Sequence, residues 1–213
     1  MNISAKEVKS LRDATGAGMM DCKKALIEME GDLDKAVDHL RKQGIAKASK
    51  RTGRSTNEGL IYSYVHNPEG RQPDGHHFGR IGVLLEVNCE TDFVAKTEDY
   101  RSFCKNISVH IVGMNPLFVS REKVASDFIE KEKEIYRAQM ENEKKPANII
   151  ERIIEGKINK YLQETCLLEQ AFIKDPDKTV EDVVKEMMAK TGENVQISRF
   201  IRFQLGEGAD SEE

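Results

Sequence analysis

Arg80-Ile81-Gly82-Val83-Leu84-Leu85-Glu86-Val87-Asn88-Cys89-Glu90-Thr91-Asp92-Phe93-Val94 holds the transition on which the reading of this chain turns. Ile81, Val83, Leu85, Val87 and Cys89 alternate with Arg80, Gly82, Glu86 and Asn88, the period-two signature of a strand with one buried face. Downstream, Tyr100, Phe103, Cys104, Ile107 and Ile111 recur at helical spacing, with Thr97 placed to cap and Glu98 and Asp99 suited to the positive end of the dipole. Phe93 lies between the two periodicities and belongs to neither apolar face. A loop Phe flanked by acids either plugs its own core or inserts into something else.

Leu60 to Val65 reads as a second strand, joined to the first through the Gly- and Pro-rich loop from Asn67 to Gly79 as an antiparallel hairpin. The helix near 98–112 is stopped by Gly113 and Pro116. A helical stretch from about Arg121 to Met140 carries Val124, Phe128, Ile129, Ile135 and Tyr136, and Pro146 opens another with Ile150, Ile153, Ile154, Ile158 and Tyr161. After Asp175-Pro176-Asp177, Thr179 caps a helix with Val180, Val183, Val184 and Met187 inward, ended by Gly192. A closing strand alternates Val195, Ile197, Ile201, Phe203 and Leu205 with polar neighbours. Three strands with helices on one face make an α+β fold with a three-stranded antiparallel sheet.

Toward the N-terminus, Ser4-Ala5-Lys6-Glu7 is a capping box and Ile3 with Val8 occupies the positions of a hydrophobic staple, so a helix starts at about residue 5. Thr15-Gly16-Ala17-Gly18 breaks it. A second helix carries Cys22, Ala25, Leu26 and Met29 on one face and ends at Gly31; Asp32 caps a third, with Leu33, Ala36, Val37 and Leu40 inward. A three-helix bundle of this size suits docking better than enclosing an active site. Met19 is three residues before Cys22 and is either core or contact surface; Met20 falls off that stripe, where an adaptable thioether suits a partner. The expected organisation is a three-helix docking module with a basic linker over 1–54, an α+β core over 55–206 and an acidic tail over 207–213.

The 213 residues carry 33 basic and 37 acidic side chains, a net charge of −4, which argues against wholesale nucleic-acid binding. There is no run long and apolar enough to span a bilayer, and Met1-Asn2-Ile3-Ser4 has no signal-peptide core, so a cytoplasmic protein is expected. Arg41, Lys42, Lys47, Lys50, Arg51 and Arg54 form a run without acids. Such a run tracks phosphates or is one solvated side of a connecting helix, and the absence of interleaved aromatics favours the latter.

Cys22, Cys89, Cys104 and Cys166 include no Cys-x-x-Cys pair and fall mainly on apolar stripes, so they read as buried thiols rather than disulfides, zinc ligands or nucleophiles. His76-His77 reads as solvated turn, with no carboxylate or thiol at ligand spacing beside it. Phosphate-binding glycine loops, nucleophile elbows and His-Glu-x-x-His pairs are missing. The chain has the resources of a binder; no covalent chemistry, cofactor or bound metal is expected.

Leu11-Arg12 with Thr15-Gly16-Ala17-Gly18-Met19-Met20-Asp21-Cys22-Lys23-Lys24-Ala25-Leu26 resembles one signature of the bacterial elongation factor Ts family, and Glu86-Val87-Asn88-Cys89-Glu90-Thr91-Asp92-Phe93-Val94-Ala95 resembles another. Leu167-Leu168-Glu169-Gln170-Ala171-Phe172 and Ile201-Arg202-Phe203 extend the likeness over nearly the whole chain. The resemblance implies a guanine-nucleotide exchange factor for elongation factor Tu. It implies an N-terminal ubiquitin-associated-like module that touches the GTPase through Met19 and Met20, and a Thr91-Asp92-Phe93-Val94 loop intruding near the bound magnesium, without direct binding of nucleotide by the factor itself. Thr97 and Ala171 stand where the family often has Asn and Pro. With sequence for one sheet-and-helix unit the chain resembles the family's short form, which implies a homodimer. An RNA-associated scaffold using Arg41 to Arg54 is the alternative reading.

Overall fold

Ser4 and Glu7 close the first helix reciprocally: the Glu7 carboxylate accepts from the Ser4 amide at 2.7 Å, and the Ser4 hydroxyl accepts from the Glu7 amide at 3.3 Å. This is the expected capping box, and it satisfies donors that a helix start otherwise leaves open. The computed structural model describes residues 3–15, 17–49, 51–67, 78–140 and 146–207, with 45–49 as backbone only. Gly16, Lys50, His76, His77 and the tail beyond Glu207 lie outside the described residues.

In chain order the elements are α1 (Ala5–Thr15), α2 (Met19–Glu28), α3 (Leu33–Ser49), β1 (Glu58–His66), β2 (Ile81–Cys89), α4 (Asp92–Ala95), α5 (Glu98–Met114), α6 (Ser126–Met140), α7 (Ala147–Thr165), β3 (Ala171–Phe172), β4 (Asp175–Thr179), α8 (Val180–Thr191) and β5 (Val195–Gln204). The antiparallel sheet has the order β1-β2-β5. The chain divides into two units, each discontinuous in sequence: Met1–Leu60, Val87–Phe103 and Asp182–Gln196 form the first, and Ile61–Glu86, Cys104–Glu181 and Ile197–Glu213 the second.

In the first unit α1, α2 and α3 enclose their own core of Val8, Leu11, Cys22, Ala25, Leu26, Ala36 and Leu40, with Ile3, Ala17, Met29 and Val37 packed against it. Gly31, at φ +84°, makes the left-handed stop that ends the α2 turn, and Asp32 then accepts the Lys35 amide at 3.0 Å. Leu33, expected inward, is instead exposed, because it is the first residue of α3 and the end of its apolar stripe. At the edge of β1, Gly59 has φ +142°, and a Cβ there would sit 2.2 Å from the Val87 carbonyl oxygen, so only glycine fits.

The second unit holds a helical hairpin. Val124, Met140, Ile154, Ile158, Leu162 and Cys166 form its core, with Phe128 edge-on to Phe118 and stacked on Tyr161. The helix expected from Arg121 begins at Ser126: Arg121–Lys123 is a 3-10 turn and Val124 is extended. The segment Asp175-Pro176-Asp177, read as punctuation, is part of β4, which pairs antiparallel with β3.

β5 departs from its simple alternation. Val195 and Ile197 are buried as expected, whereas Ile201, Phe203 and Leu205 are exposed. Arg199 Nε lies 2.6 Å from Glu86 Oε2, and Arg199, Ile201 and Phe203 are all exposed. Odd-numbered positions thus stop being buried after Ile197.

Candidate functional site

Phe93 is 79% exposed. It is the second residue of α4, a single turn between the end of β2 and the start of α5. Four residues cannot hold a helix by themselves, so the turn depends on what fixes its two ends.

At the C-terminal end, Thr97 does two things at once. Its hydroxyl donates to the Val94 carbonyl at 2.8 Å and accepts the Tyr100 amide at 3.3 Å, capping α5 as its sequence position predicts. Tyr100 and Ala95 are buried beside Cys89, whose thiol donates to the Thr91 carbonyl at 3.1 Å. Burial pushes the Cys89 thiol pKa up, which disfavours the thiolate that a nucleophile needs.

The N-terminal end is held from far away in sequence. The Glu193 carboxylate accepts the Glu90 amide at 3.1 Å, the Thr91 amide at 3.0 Å and the Thr91 hydroxyl at 2.6 Å. In the reverse direction the Glu90 carboxylate accepts the Asn194 amide at 2.6 Å and Arg54 Nη1 at 3.3 Å. The Asn194 side chain in turn donates to the carbonyls of Arg54 and Thr52, at 2.7 and 3.3 Å. Sequence reasoning missed Glu193 and Asn194. No local periodicity marks a carboxylate whose partners are about a hundred residues away; the only signal is Gly192, at φ +78°, which turns the chain sharply after α8.

Asp92 sits on the exposed flank, with Oδ2 2.5 Å from Lys96 Nζ across one helical turn. The Lys96 hydrogen bond holds its carboxyl below the usual carboxylate range. The turn therefore presents an apolar ring beside a paired acid. Val94 is half-buried and Thr91 is turned inward to Glu193, so among Thr91, Asp92, Phe93 and Val94 the ring is the group that projects.

In the three-helix module of the same unit, Met19 and Met20 open α2 and are 55% and 66% exposed. Neither is part of the module's core, although Cys22, three residues beyond Met19, is fully buried.

A cleft of about 610 Å³ in the first unit is lined by, among others, Thr15, Asp21, Arg41, Arg51, Glu186 and Lys190. Its cations are already engaged: Arg41 with Glu186 at 2.9 Å, Arg51 with the Met188 carbonyl at 3.2 Å and Lys190 with Asp99 at 2.8 Å. It contains none of the four residues of the Phe93 turn. With Arg54 bonded to Glu90, three cations of the 41–54 run are committed to this chain's own groups. Among the described residues no cluster of His, Cys, Asp or Glu is arranged to hold a metal, and no helix is long and apolar enough to cross a membrane.

The family described as Elongation factor TS matches residues 10–207, which takes in both the Met19-Met20 and the Phe93 segments. The chain is 56% identical to elongation factor Ts of Caldanaerobacter subterraneus over 98% of its own length and 99% of that protein. It is 55% identical to elongation factor Ts of Fervidobacterium nodosum, over 97% of this chain and all of the other. Against elongation factor Ts of Geotalea daltonii it is 54% identical over its whole length and 94% of the relative. The chain therefore belongs to the elongation factor Ts family, whose members act in translation elongation.

Proposed function

We propose that this protein is the nucleotide-exchange factor of elongation factor Tu: it binds Tu carrying GDP and inserts the Thr91-Asp92-Phe93-Val94 turn beside the magnesium and phosphate site, so that GDP leaves and GTP can rebind. The observation that carries this reading is the exposure of Phe93 on a turn fixed at both ends. A large apolar ring held in water is unfavourable by the free energy its burial would release, about 2 kcal/mol for a Phe, and a partner that buries it recovers that term.

The mechanism is one of linkage. A GTPase holds its nucleotide through magnesium and backbone donors around the phosphates. A rigid ring that displaces those groups weakens nucleotide binding without touching the nucleotide. Reciprocity then makes nucleotide weaken the factor's binding by the same factor, so the factor cycles off when GTP enters. Nothing in this scheme requires the factor to make or break a covalent bond, or to bind nucleotide itself. It acts in the cytoplasm, where Tu works.

Met19 and Met20 are the contacts of the N-terminal module in this reading, their thioethers adapting to an apolar surface on the GTPase domain. The paired state of Arg41, Arg51 and Arg54 weighs against the RNA-scaffold reading, which needs those charges for phosphates. A second copy of the chain is the other partner. Leu84, Ile201, Phe203 and Ile61 are exposed apolar side chains on the three strands of the sheet, an apolar surface suited to pairing two sheets. The exchange reading is tested by release of labelled GDP from Tu with the wild-type factor and with Phe93→Ala.

A further inference from the structure

Thr91 is the N-cap of α4, with the extended backbone of a capping residue at φ −130° and ψ 152°, yet its side chain makes no cap to the helix. A threonine in that place ordinarily turns its hydroxyl onto an amide of the first turn. Here the hydroxyl donates away from α4, to Glu193 Oε1 at 2.6 Å. The other oxygen of the same carboxylate takes the two backbone amides that lead into the turn, at 3.1 and 3.0 Å. The external carboxylate has replaced the internal cap.

We infer that Glu193 is the positioning residue for Phe93: it fixes the direction in which α4 leaves β2, and so the angle at which the ring is offered to the partner. The inference rests on the exchange reading and adds to it a residue a hundred positions along the chain from the ring, acting through Glu90 and Thr91. Three features carry it. The carboxylate makes three hydrogen bonds to two consecutive residues, which fixes orientation as well as distance. Gly192, at φ +78°, lets the chain leave α8 in the direction that delivers Glu193 there. The Glu90 carboxylate bonds back to the Asn194 amide at 2.6 Å, so the two segments brace each other in both directions. A wedge acts only if it does not yield when pushed, and α4 has no side-chain cap of its own at the N-terminal end to resist.

The geometry separates positioning from charge. In Glu193→Gln the remaining oxygen can still accept both amides, and the new NH2 group can donate to the Thr91 oxygen once that hydroxyl rotates. Glu193→Gln should therefore stay within about threefold of wild type in the maximal rate of GDP release from Tu, since all three contacts persist with their geometry, each as a neutral rather than a charge-assisted bond. Glu193→Ala removes all three bonds and should lower that maximal rate about tenfold or more, with a smaller change in the half-saturating factor concentration. In the Phe93→Ala background, Glu193→Ala should add little, because both changes disable the same element.

The factor is assayed as the full chain on Tu·GDP, alongside the ¹⁹F signal of a fluorinated phenylalanine placed at position 93. Wild type and Glu193→Gln should give matching ring signals and Glu193→Ala a shifted or averaged one. Thr91→Val, which deletes only the hydroxyl contact, should fall between them and serves if Glu193→Ala does not fold. The inference is overturned if Glu193→Ala, or Thr91→Val in its place, keeps both the wild-type ring signal and the wild-type maximal rate, or if its loss adds fully to that of Phe93→Ala. If the ring signal shifts as expected while Phe93→Ala releases GDP at the wild-type rate, the brace stands as a structural device and the exchange reading fails instead.

Discussion

His110 Nε2 and Gln170 Oε1 lie 2.9 Å apart in the interior of the second unit, and the ring's other nitrogen, Nδ1, accepts the Ile173 amide at 3.1 Å. Gln170 donates through its own NH2 group to the Glu164 carbonyl at 2.6 Å, which leaves its oxygen facing the imidazole as an acceptor. Only the neutral ring with its proton on Nε2 satisfies both contacts; a second proton on Nδ1 would meet the Ile173 N–H head-on. Burial lowers the His110 pKa from its ordinary value of 6.5. The folded state thus binds a proton less readily than the unfolded chain. Stability is complete above about pH 6.5, falls as pH drops below it, and stops falling below the depressed folded value. Denaturant midpoints at pH 7.5 and 5.5 should show that loss in the wild type and a smaller one in His110→Asn; equal losses would contradict the assignment.

Met20 opens α2 on the outside of the bundle, whereas Leu26 is fully buried inside it. Met20→Ala should leave stability within about 0.5 kcal/mol of wild type while raising the factor concentration needed for half-maximal GDP release. Leu26→Ala should cost about 2–5 kcal/mol in denaturant unfolding. An unchanged half-saturation for Met20→Ala, alone and combined with Met19→Ala, would remove the N-terminal module from the interface.

All four cysteines are free and buried, and burial raises the pKa of both Cys89 and Cys166. A thiol reagent at pH 8 should modify the native protein slowly and all four sites rapidly in denaturant. Cys89→Ser should retain exchange, with a modest loss of stability. Abolished exchange in a folded Cys89→Ser protein would point to chemistry at the sulfur.

Phe203 is 69% exposed on the face of β5 that, by alternation, it shares with exposed Ile201. Charge placed there is costly only if the face is covered by another chain. Light scattering of the wild type should report twice the 24.1 kDa chain mass, and Phe203→Asp should report the single mass with its secondary structure intact. A wild-type mass of one chain at working concentrations would rule out the pairing.

How far the sequence could be read depended on the range of the interactions involved. The Ser4–Glu7 box, the Asp32 cap, the Thr97 cap and the buried stripe Val83-Leu85-Val87-Cys89 are all decided by neighbours within a few residues, and all are present as expected. The anomaly of Phe93 was visible for the same reason, as a break between two local periods. What could not be read was decided at long range. The second half of β5 exposes Ile201, Phe203 and Leu205, and no pattern within β5 announces it. The conspicuous motif from Leu167 to Phe172 likewise gives no hint that Glu169 forks onto Arg121, at 2.7 and 2.5 Å, or that Phe172 stacks on His110. Glu193, silent in the sequence, bonds to the two residues that lead into the Phe93 turn.

On the proposed mechanism the Phe93 ring does its work inside another protein. Release of labelled GDP from elongation factor Tu at saturating factor measures this directly. Because the ring is exposed in the free chain, Phe93→Ala should leave thermal unfolding nearly unchanged while slowing stimulated release by over tenfold, the effect of losing an interface anchor of about 2 kcal/mol or more. Stimulated release at the wild-type rate by a folded Phe93→Ala protein would contradict it.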